Sequence, residues 1–293
     1  MRRAPILIVT AVIAILLPLI PATSASAAPA RSDSTTENVY FVHGIDLTAP
    51  AGTDCNGDWA DAKWAMRNLW GGWRGGLYTV GYYAGDRNCD FYSSAGDQNT
   101  SIRTLGADLA WFIYRRETSR GVSIDMVGHS MGGLIIRAAL TGVQNGWFGF
   151  PPYLYVEDVV TLATPHDGTN WGNACALSWL QCREMEPGSA LLNSLAQGPQ
   201  SAQGTDWTLT GSFDDPYVSE GSAVGMDYNV GHRHQYRRST EGVIVNHTTI
   251  RQLYSGVYTV RSWHHYTRVW KETPAGWAPL TGMRWGLYYW SRE

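Results

Sequence analysis

One short segment constrains the fold of this chain more than any other. The apolar run VSIDMVG (122–128) predicts a buried strand, and MGGLIIRAALTGVQ (131–144) predicts a helix. Only His129 and Ser130 separate the two elements. The chain must therefore turn sharply, and a residue at the apex of such a turn is held in strained backbone geometry.

Glycines surround the serine at this turn. Gly128 and Gly132 complete the pattern G-x-S-x-G and leave clearance for the turn, while Gly133 lets the helix approach closely. The pattern alone is weak in a chain with 32 glycines, but the preceding strand and the following helix strengthen it. A serine at this apex projects its hydroxyl above the sheet, where a base can take its proton. We predict that Ser130 is a nucleophile.

Strand and helix patterns alternate along the chain. NVYFVHG, GLYTVGYYAG, VEDVVTLATP, DWTLTGSFDD and GVIVNH predict strands, and DWADAKWAMRNLW and TSIRTLGADLAWFIYRR predict helices. This alternation is typical of a mainly parallel sheet with helices on both faces, so the fold class is α/β. In such sheets ligands bind beyond the carboxyl ends of the strands.

The two ends of the chain differ from this pattern. Residues 1–27 have two arginines, an apolar stretch and a final Ala-Ser-Ala, which predict a secretory signal peptide; a membrane anchor is the alternative. Residues 28–37 predict a disordered leader. Residues 38–293 contain no linker or repeat and predict a single domain. Its aromatic-rich C-terminal extension predicts a terminal helix and a short hairpin, with a sugar-binding platform as the alternative.

Charge and cysteines limit the function further. Without residues 1–27 the chain has 20 basic and 25 acidic residues, so nucleic acid is not an expected partner. The four cysteines allow three disulfide pairings, of which Cys55–Cys89 with Cys175–Cys182 is the most local. There is no C-x-x-C pair to favour a metal site, and His232 and His234 in GHRH are interpreted as part of a loop. We expect an extracellular protein.

A nucleophilic serine needs two N–H donors for the oxyanion that forms on the attacked carbonyl. The Met131 amide, at the start of the predicted helix, is one candidate. The second is the Ile45 amide, which follows the strand end FVHG. We interpret His43 as a structural hydrogen-bonding residue beside this oxyanion hole.

Four blocks of this sequence, VYFVHGI, VGHSMGGL, VVTLATPHDGT and PGSALLNSL, resemble the secreted bacterial lipase and esterase branch of the α/β-hydrolase family. The resemblance spans most of residues 38–250. It implies the α/β-hydrolase fold and a chain order of serine, then acid, then histidine. Residues 166–205, which contain two cysteines, would form a short disulfide-stapled region resembling a cap, or only a surface loop.

The chain order directs the search for the acid and the base. In SFDDPYV, Asp215 is preferred to Asp214 because Pro216 holds Asp215 extended and an apolar residue stands three positions later, as in the family. His247 fits the base, since it follows an apolar run and precedes a helical pattern. His264 and His265 are the reserves.

These residues predict a serine hydrolase that cleaves carboxylic esters through an acyl-enzyme. We expect a lipase acting on triacylglycerols or other fatty-acyl esters. An acyltransferase, a polyester depolymerase and a non-catalytic wall-polymer binding protein are the alternatives. We expect a monomer that binds a small-molecule or lipid ester, contacts a lipid interface transiently and needs no cofactor. Acyl chains would contact the aromatic and apolar residues at two predicted rims: Trp59, Trp64, Trp70, Trp73, Tyr82 and Tyr83, and Trp171, Leu177, Trp179 and Leu180.

Overall fold

The computed structural model describes residues 28–48, 50–170, 175, 177–226, 230–239, 241–264 and 267–289. The predicted signal peptide lies outside these residues, as do Trp171 and His265. Within the described ranges, none of the helices combines the length and the apolar character needed to cross a bilayer.

The strands of the described residues form one nine-stranded sheet in the order β3-β2-β1-β4-β5-β6-β7-β8-β9. Neighbours from β3 to β7 pair in parallel, whereas β8 and β9 are antiparallel. The strands are β1 (Asn38–Val42), β2 (Leu77–Tyr83), β3 (Phe91–Gly96), β4 (Ile124–His129), β5 (Val156–Leu162), β6 (Asp206–Ser212), β7 (His232–Ser239), β8 (Tyr258–His264) and β9 (Val269–Gly276).

Helices cover both faces of this sheet. On β1, Tyr40 and Val42 join one core cluster while Val39 and Phe41 join the other, because successive side chains of a strand point to opposite faces. The first cluster includes side chains of α3 and α4, and the second includes side chains of α2 and α8. The helices are α1 (Cys55–Asp58), α2 (Ala60–Asn68), α3 (Ile102–Arg116), α4 (Met131–Gln144), α5 (Leu180–Glu184), α6 (Ala190–Ser194), α7 (Glu220–Ala223) and α8 (Pro279–Gly286).

This architecture is the α/β-hydrolase fold, so the predicted fold class is confirmed. Both predicted disulfides are also present. The Cα atoms lie 4.8 Å apart in Cys55–Cys89 and 5.7 Å apart in Cys175–Cys182. The terminal hairpin is β8–β9 and the terminal helix is α8, as expected.

One predicted strand is wrong. Residues 242–247, in the run GVIVNH, contain no strand. The place beside β6 is taken by β7, where Thr208 pairs with His232 and Thr210 with His234. The segment GHRH was therefore wrongly interpreted as a loop.

The predicted leader contains no helix or strand. Its end is attached to the segment before β2, because the Thr35 carbonyl accepts hydrogen bonds from the N–H groups of Arg74 (2.8 Å) and Gly75 (2.9 Å). The indole of Trp73 also donates to the Glu37 carbonyl (2.8 Å). Residues 35–37 are thus held against the domain.

Candidate active site

Ser130 lies at a tight turn between β4 and α4. Its backbone has φ 53° and ψ −129°, which is strained geometry for a residue with a side chain. Its N–H donates to the Leu162 carbonyl at the end of β5 (2.9 Å), and this bond fixes the turn. The strand, turn and helix thus occur where the sequence predicts them.

The glycines around the turn allow very close backbone approach. A Cβ atom on Gly128 would lie 2.5 Å from the Gly133 Cα, and one on Gly132 would lie 2.3 Å from the Val42 carbonyl oxygen. Neither contact is possible for a larger residue, so the predicted need for clearance at these positions is confirmed.

A cleft of about 370 Å³ opens at Ser130, beyond the carboxyl ends of the parallel strands. Ser130, His247 and Ile45 all line it, so three of the predicted site residues meet there. The other lining residues are Gly44, Asp46, Leu47, Thr48, Thr53, Asp58, His129, Tyr217, Thr248 and Arg251.

Asp215 lies behind His247, on the loop that follows β6. Its Oδ2 atom is 2.8 Å from His247 Nδ1, and its Oδ1 atom accepts the N–H groups of Tyr217 (2.8 Å) and Val218 (3.0 Å). The Asp215 side chain is fully buried. Asp214 instead pairs with Arg238 (2.9 Å) at a partly exposed position. Of the two adjacent carboxylates, only Asp215 contacts the imidazole.

This contact sets the tautomer of His247. A carboxylate accepts hydrogen bonds, so Nδ1 carries the hydrogen and Nε2 is left as the basic nitrogen. The backbone of His247 is held as well, because His129 Nε2 donates to the His247 carbonyl (2.6 Å). Burial and the nearby His247 hold the pKa of His129 well below its usual value, so His129 is neutral. The sequence pattern gave no sign of this role for His129.

The two predicted oxyanion donors lie on neighbouring segments. Met131 is the first residue of α4, and its N–H has no acceptor within the helix. The Gly44 carbonyl accepts hydrogen bonds from the Tyr82 hydroxyl (2.5 Å) and from His43 Nδ1 (2.8 Å). Because the C=O and N–H of a trans peptide point in opposite directions, these bonds turn the Ile45 N–H away from Tyr82 and His43.

A buried histidine–aspartate contact supports this peptide. His43 Nε2 lies 2.9 Å from Asp86 Oδ2, and both side chains are almost fully buried. Asp86 also accepts the N–H groups of Thr53, Tyr82 and Tyr83. Burial alone would raise the pKa of Asp86, but the His43 contact and the backbone donors outweigh it and lower the pKa.

Both ring nitrogens of His43 therefore face oxygen atoms, the Gly44 carbonyl on one side and the Asp86 carboxylate on the other. His43 is buried between these two oxygen atoms, one peptide group away from the Ile45 N–H. This agrees with its interpretation as a structural hydrogen-bonding residue. Asp86 was missed because it stands 43 residues from His43 in the chain, and its local sequence carries no matching signal.

The predicted acyl-chain walls are mostly elsewhere. Trp59, Trp73, Tyr82 and Tyr83 are buried in the core, and none of the described aromatic candidates lines the Ser130 cleft. Its large apolar side chains, among the described residues, come from Ile45, Leu47 and Tyr217. Trp64 and Leu177, by contrast, are 49% and 83% exposed, away from the cleft.

Two other features lie outside the Ser130 cleft. A larger cavity of about 470 Å³ lies between α8 and strands β6 to β9, and none of the predicted catalytic residues lines it.

His264, a reserve for the base, ends β8. Because β8 runs antiparallel to β7, its end lies at the opposite edge of the sheet from Ser130. Of the two reserves, His264 is thus far from the serine.

Comparison with known proteins agrees with this geometry. A family model described as "Putative serine esterase (DUF676)" matches residues 84–189, which include Ser130. No curated protein matches the chain in sequence. The family match supports a serine hydrolase that cleaves esters.

Several solved structures are similar to parts of this chain. The mature form of the Bacillus licheniformis lipase BlEst2 is 17% identical over 67% of this chain and 83% of its own, with a TM-score of 0.41. Aspergillus fumigatus lipase B is 12% identical over 74% of this chain and 49% of its own, with a TM-score of 0.48, so the match spans about half of that lipase. An extracellular α/β-hydrolase from a Paenibacillus species is 12% identical over 73% of this chain and 93% of its own, with a TM-score of 0.38.

Proposed function

We propose that this protein is a secreted serine hydrolase that cleaves carboxylic esters with Ser130, His247 and Asp215. One observation carries the proposal: a carboxylate–imidazole pair, 2.8 Å apart, meets the strained Ser130 turn at one cleft. The match to the serine esterase family model over residues 84–189 supports the same chemistry.

The reaction would proceed in two steps. His247 Nε2 takes the Ser130 proton as the hydroxyl oxygen attacks the ester carbonyl, and Asp215 stabilises the imidazolium that forms. The Ile45 and Met131 N–H groups bind the oxyanion, and the alcohol leaves with the proton from His247. Water then attacks the acyl-enzyme through the same groups and releases the carboxylic acid.

A fatty-acyl ester is the substrate class that we propose, so the enzyme would be a lipase. Support comes from apolar side chains that remain exposed at the cleft and near the base. Leu47 and Tyr217, which line the cleft, are 41% and 54% exposed, and Ile244, three residues before His247, is 44% exposed. Apolar surface of this kind can contact an acyl chain.

Export and a monomeric state are part of the same proposal. Two disulfides among the described residues favour an oxidising compartment. Detection of the protein in culture medium, with an N-terminus near residue 28, would test export.

Hydrolysis of p-nitrophenyl esters with acyl chains from C2 to C16 tests the activity. We expect an optimum above C8, adduct formation at Ser130 with a serine-directed phosphonate, and a loss of about 10⁶-fold in kcat for Ser130→Ala. Full activity in Ser130→Ala, or no adduct, would refute the proposal. An optimum at C2 to C4 would exclude the lipase, and transfer to an added alcohol in preference to water would make the enzyme an acyltransferase.

A further inference from the structure

The C-terminal part of this chain is basic, although the chain as a whole is acidic. Residues 230–293 contain nine Lys and Arg and three Asp and Glu, a net charge of +6. Residues 28–229 contain eleven Lys and Arg and twenty-two Asp and Glu, a net charge of −11. Such an asymmetry between segments is typical of proteins that bind an anionic partner with one part of the chain.

Three of these nine basic residues lie on one face of the sheet extension formed by β7, β8 and β9. Helix α8 covers the opposite face, where the Tyr236 hydroxyl donates to the Ala278 carbonyl (3.4 Å). Because side chains alternate along a strand, Arg233 and Arg237 point away from α8, and so does Arg261, which pairs with Gln235. We call this surface the arginine–aromatic face: Arg233, Arg237, Arg261, Phe213, Trp263 and Trp270.

The arginines of this face stack on its aromatic rings in one continuous ladder. Trp263 and Trp270 also contact each other, with ring centroids 5.6 Å apart. Stacking of this kind holds each guanidinium in place. One acidic side chain lies on the same face: Glu272 pairs with Arg261 across the strands and forms an ion pair with Arg237 (3.4 Å). The three arginines therefore outnumber the acidic side chain, and the ion pair is half exposed and weak. The distances from guanidinium carbon to ring centroid are 5.6 Å for Arg233 to Trp263, 5.3 Å for Arg261 to Trp270, 5.7 Å for Arg261 to Phe213 and 4.0 Å for Arg237 to Phe213.

The face adjoins the candidate active site. Phe213 stands two residues before Asp215, and Arg238 bonds the intervening Asp214 (2.9 Å). Between β7 and His247, Val243 and Ile244 are 40% and 44% exposed. Positive charge, aromatic rings and exposed aliphatic side chains therefore lie beside the loops that carry the acid and the base.

We propose that the arginine–aromatic face docks the protein on an anionic lipid surface and so presents the cleft to esters in that surface. The link to substrate rests on the proposed function. Arginine stems and indole rings bury apolar surface at the lipid boundary while their polar groups remain hydrated. A soluble polyanion would use the charge but leave the aromatic and aliphatic side chains unused, which favours the lipid surface.

The acidic remainder of the chain sets the orientation. At physiological salt the screening length is about 8 Å, so an anionic surface attracts only basic side chains within about that distance. The attraction therefore acts mainly on the face of the protein that is nearest to the lipid. The acidic parts are repelled when they approach first. Docking is therefore expected in one orientation, with the C-terminal sheet extension toward the lipid.

Vesicle sedimentation of the full mature chain with Ser130→Ala tests this proposal without turnover. We expect binding to phosphatidylcholine vesicles that contain 30 mol% phosphatidylglycerol, weaker binding to pure phosphatidylcholine, and release as salt is raised. A basic residue near such a surface contributes roughly fivefold to partitioning, so Arg237→Gln with Arg261→Gln should lower the partition coefficient at least tenfold.

Helix α3 provides a matched control. Arg103 and Arg115 also stack on tryptophan rings, at 4.2 Å from Trp147 and 5.9 Å from Trp111. The pair Arg103→Gln with Arg115→Gln should leave partitioning within about twofold. Circular dichroism melting of both double variants checks that each remains folded. The double variant Arg237→Lys with Arg261→Lys keeps the charge, so it should bind anionic vesicles nearly as well as the parent. It replaces the Gln variant in the comparison if that variant unfolds.

Three results would overturn the proposal: equal binding to neutral and anionic vesicles, equal losses in the two Gln variants, or binding to dextran sulfate with none to anionic vesicles. The last would assign the face to a soluble polyanion. Absence of esterase activity alongside intact vesicle binding would instead refute the proposed function and leave the docking surface standing.

Discussion

Replacement of Asp215 by asparagine should nearly abolish activity while the neighbouring replacement at Asp214 should not. In the folded protein the Tyr217 and Val218 N–H groups hold one Asp215 oxygen at 2.8 and 3.0 Å, and the other oxygen faces His247 Nδ1 at 2.8 Å. The asparagine carbonyl must remain on the two backbone donors, so its NH₂ group faces His247. The imidazole is then forced to carry its hydrogen on Nε2, where it cannot accept the serine proton.

The expected loss in kcat is about 10⁴-fold, the size seen when the same tautomer is imposed on other triads, and it corresponds to about 5.5 kcal/mol of transition-state stabilisation. Asp214→Asn breaks only a partly exposed pair with Arg238, which contributes at most about 1 kcal/mol to stability. Steady-state hydrolysis of a p-nitrophenyl ester by both variants provides the comparison. If Asp215→Asn stays within tenfold of the parent, or if the two variants lose activity equally, the assignment of the acid is wrong.

Three further predictions concern the surroundings of the site. Asp86→Asn should lower kcat about 10- to 100-fold with little change in KM, because it removes the carboxylate that holds His43 and, through it, the Gly44–Ile45 peptide; separate kcat and KM values check this. Gly44→Ala would place a methyl carbon 2.8 Å from the Ser130 Cβ, so the rate of phosphonate labelling should fall about 100-fold. Burial raises the pKa of Glu157 to about 7, so its favourable contribution is complete below about pH 4.5 and is lost as the pH rises through 7. Glu157→Gln should therefore raise Tm at pH 8 and leave it unchanged at pH 4; equal shifts at both pH values would contradict the argument.

The sequence predicts the Ser130 turn well because all of its signals are local. An apolar strand, small flanking residues and a helix follow one another within 23 residues, 122–144. Asp215 and His247 are found by chain order, and the structure brings these two together at 2.8 Å. Patterns that depend on neighbours in sequence, or on the order of motifs, are therefore informative here.

Features that depend on distant contacts are not. Strand β7, with the sequence HRHQYRRS, has few apolar residues, because His232 and His234 line the cavity beneath α8 and Arg237 and Arg238 are exposed. Its pattern is therefore that of a loop. The apolar run GVIVNH has the opposite problem: Val245 is buried and anchors the segment, but Val243 and Ile244 are exposed and no strand forms. Asp86 contacts His43 across 43 residues, a relation that no local pattern records.

The Cys55–Cys89 disulfide braces the loop that supports the Ile45 peptide. It joins α1 to the loop that carries Asp86, and the backbone bonds between Arg87 and Thr53 (2.9 Å) and between Cys55 and Arg87 (3.1 Å) run alongside it. A reduced chain would lose this covalent link behind the His43–Asp86 contact, which holds the Ile45 peptide in place.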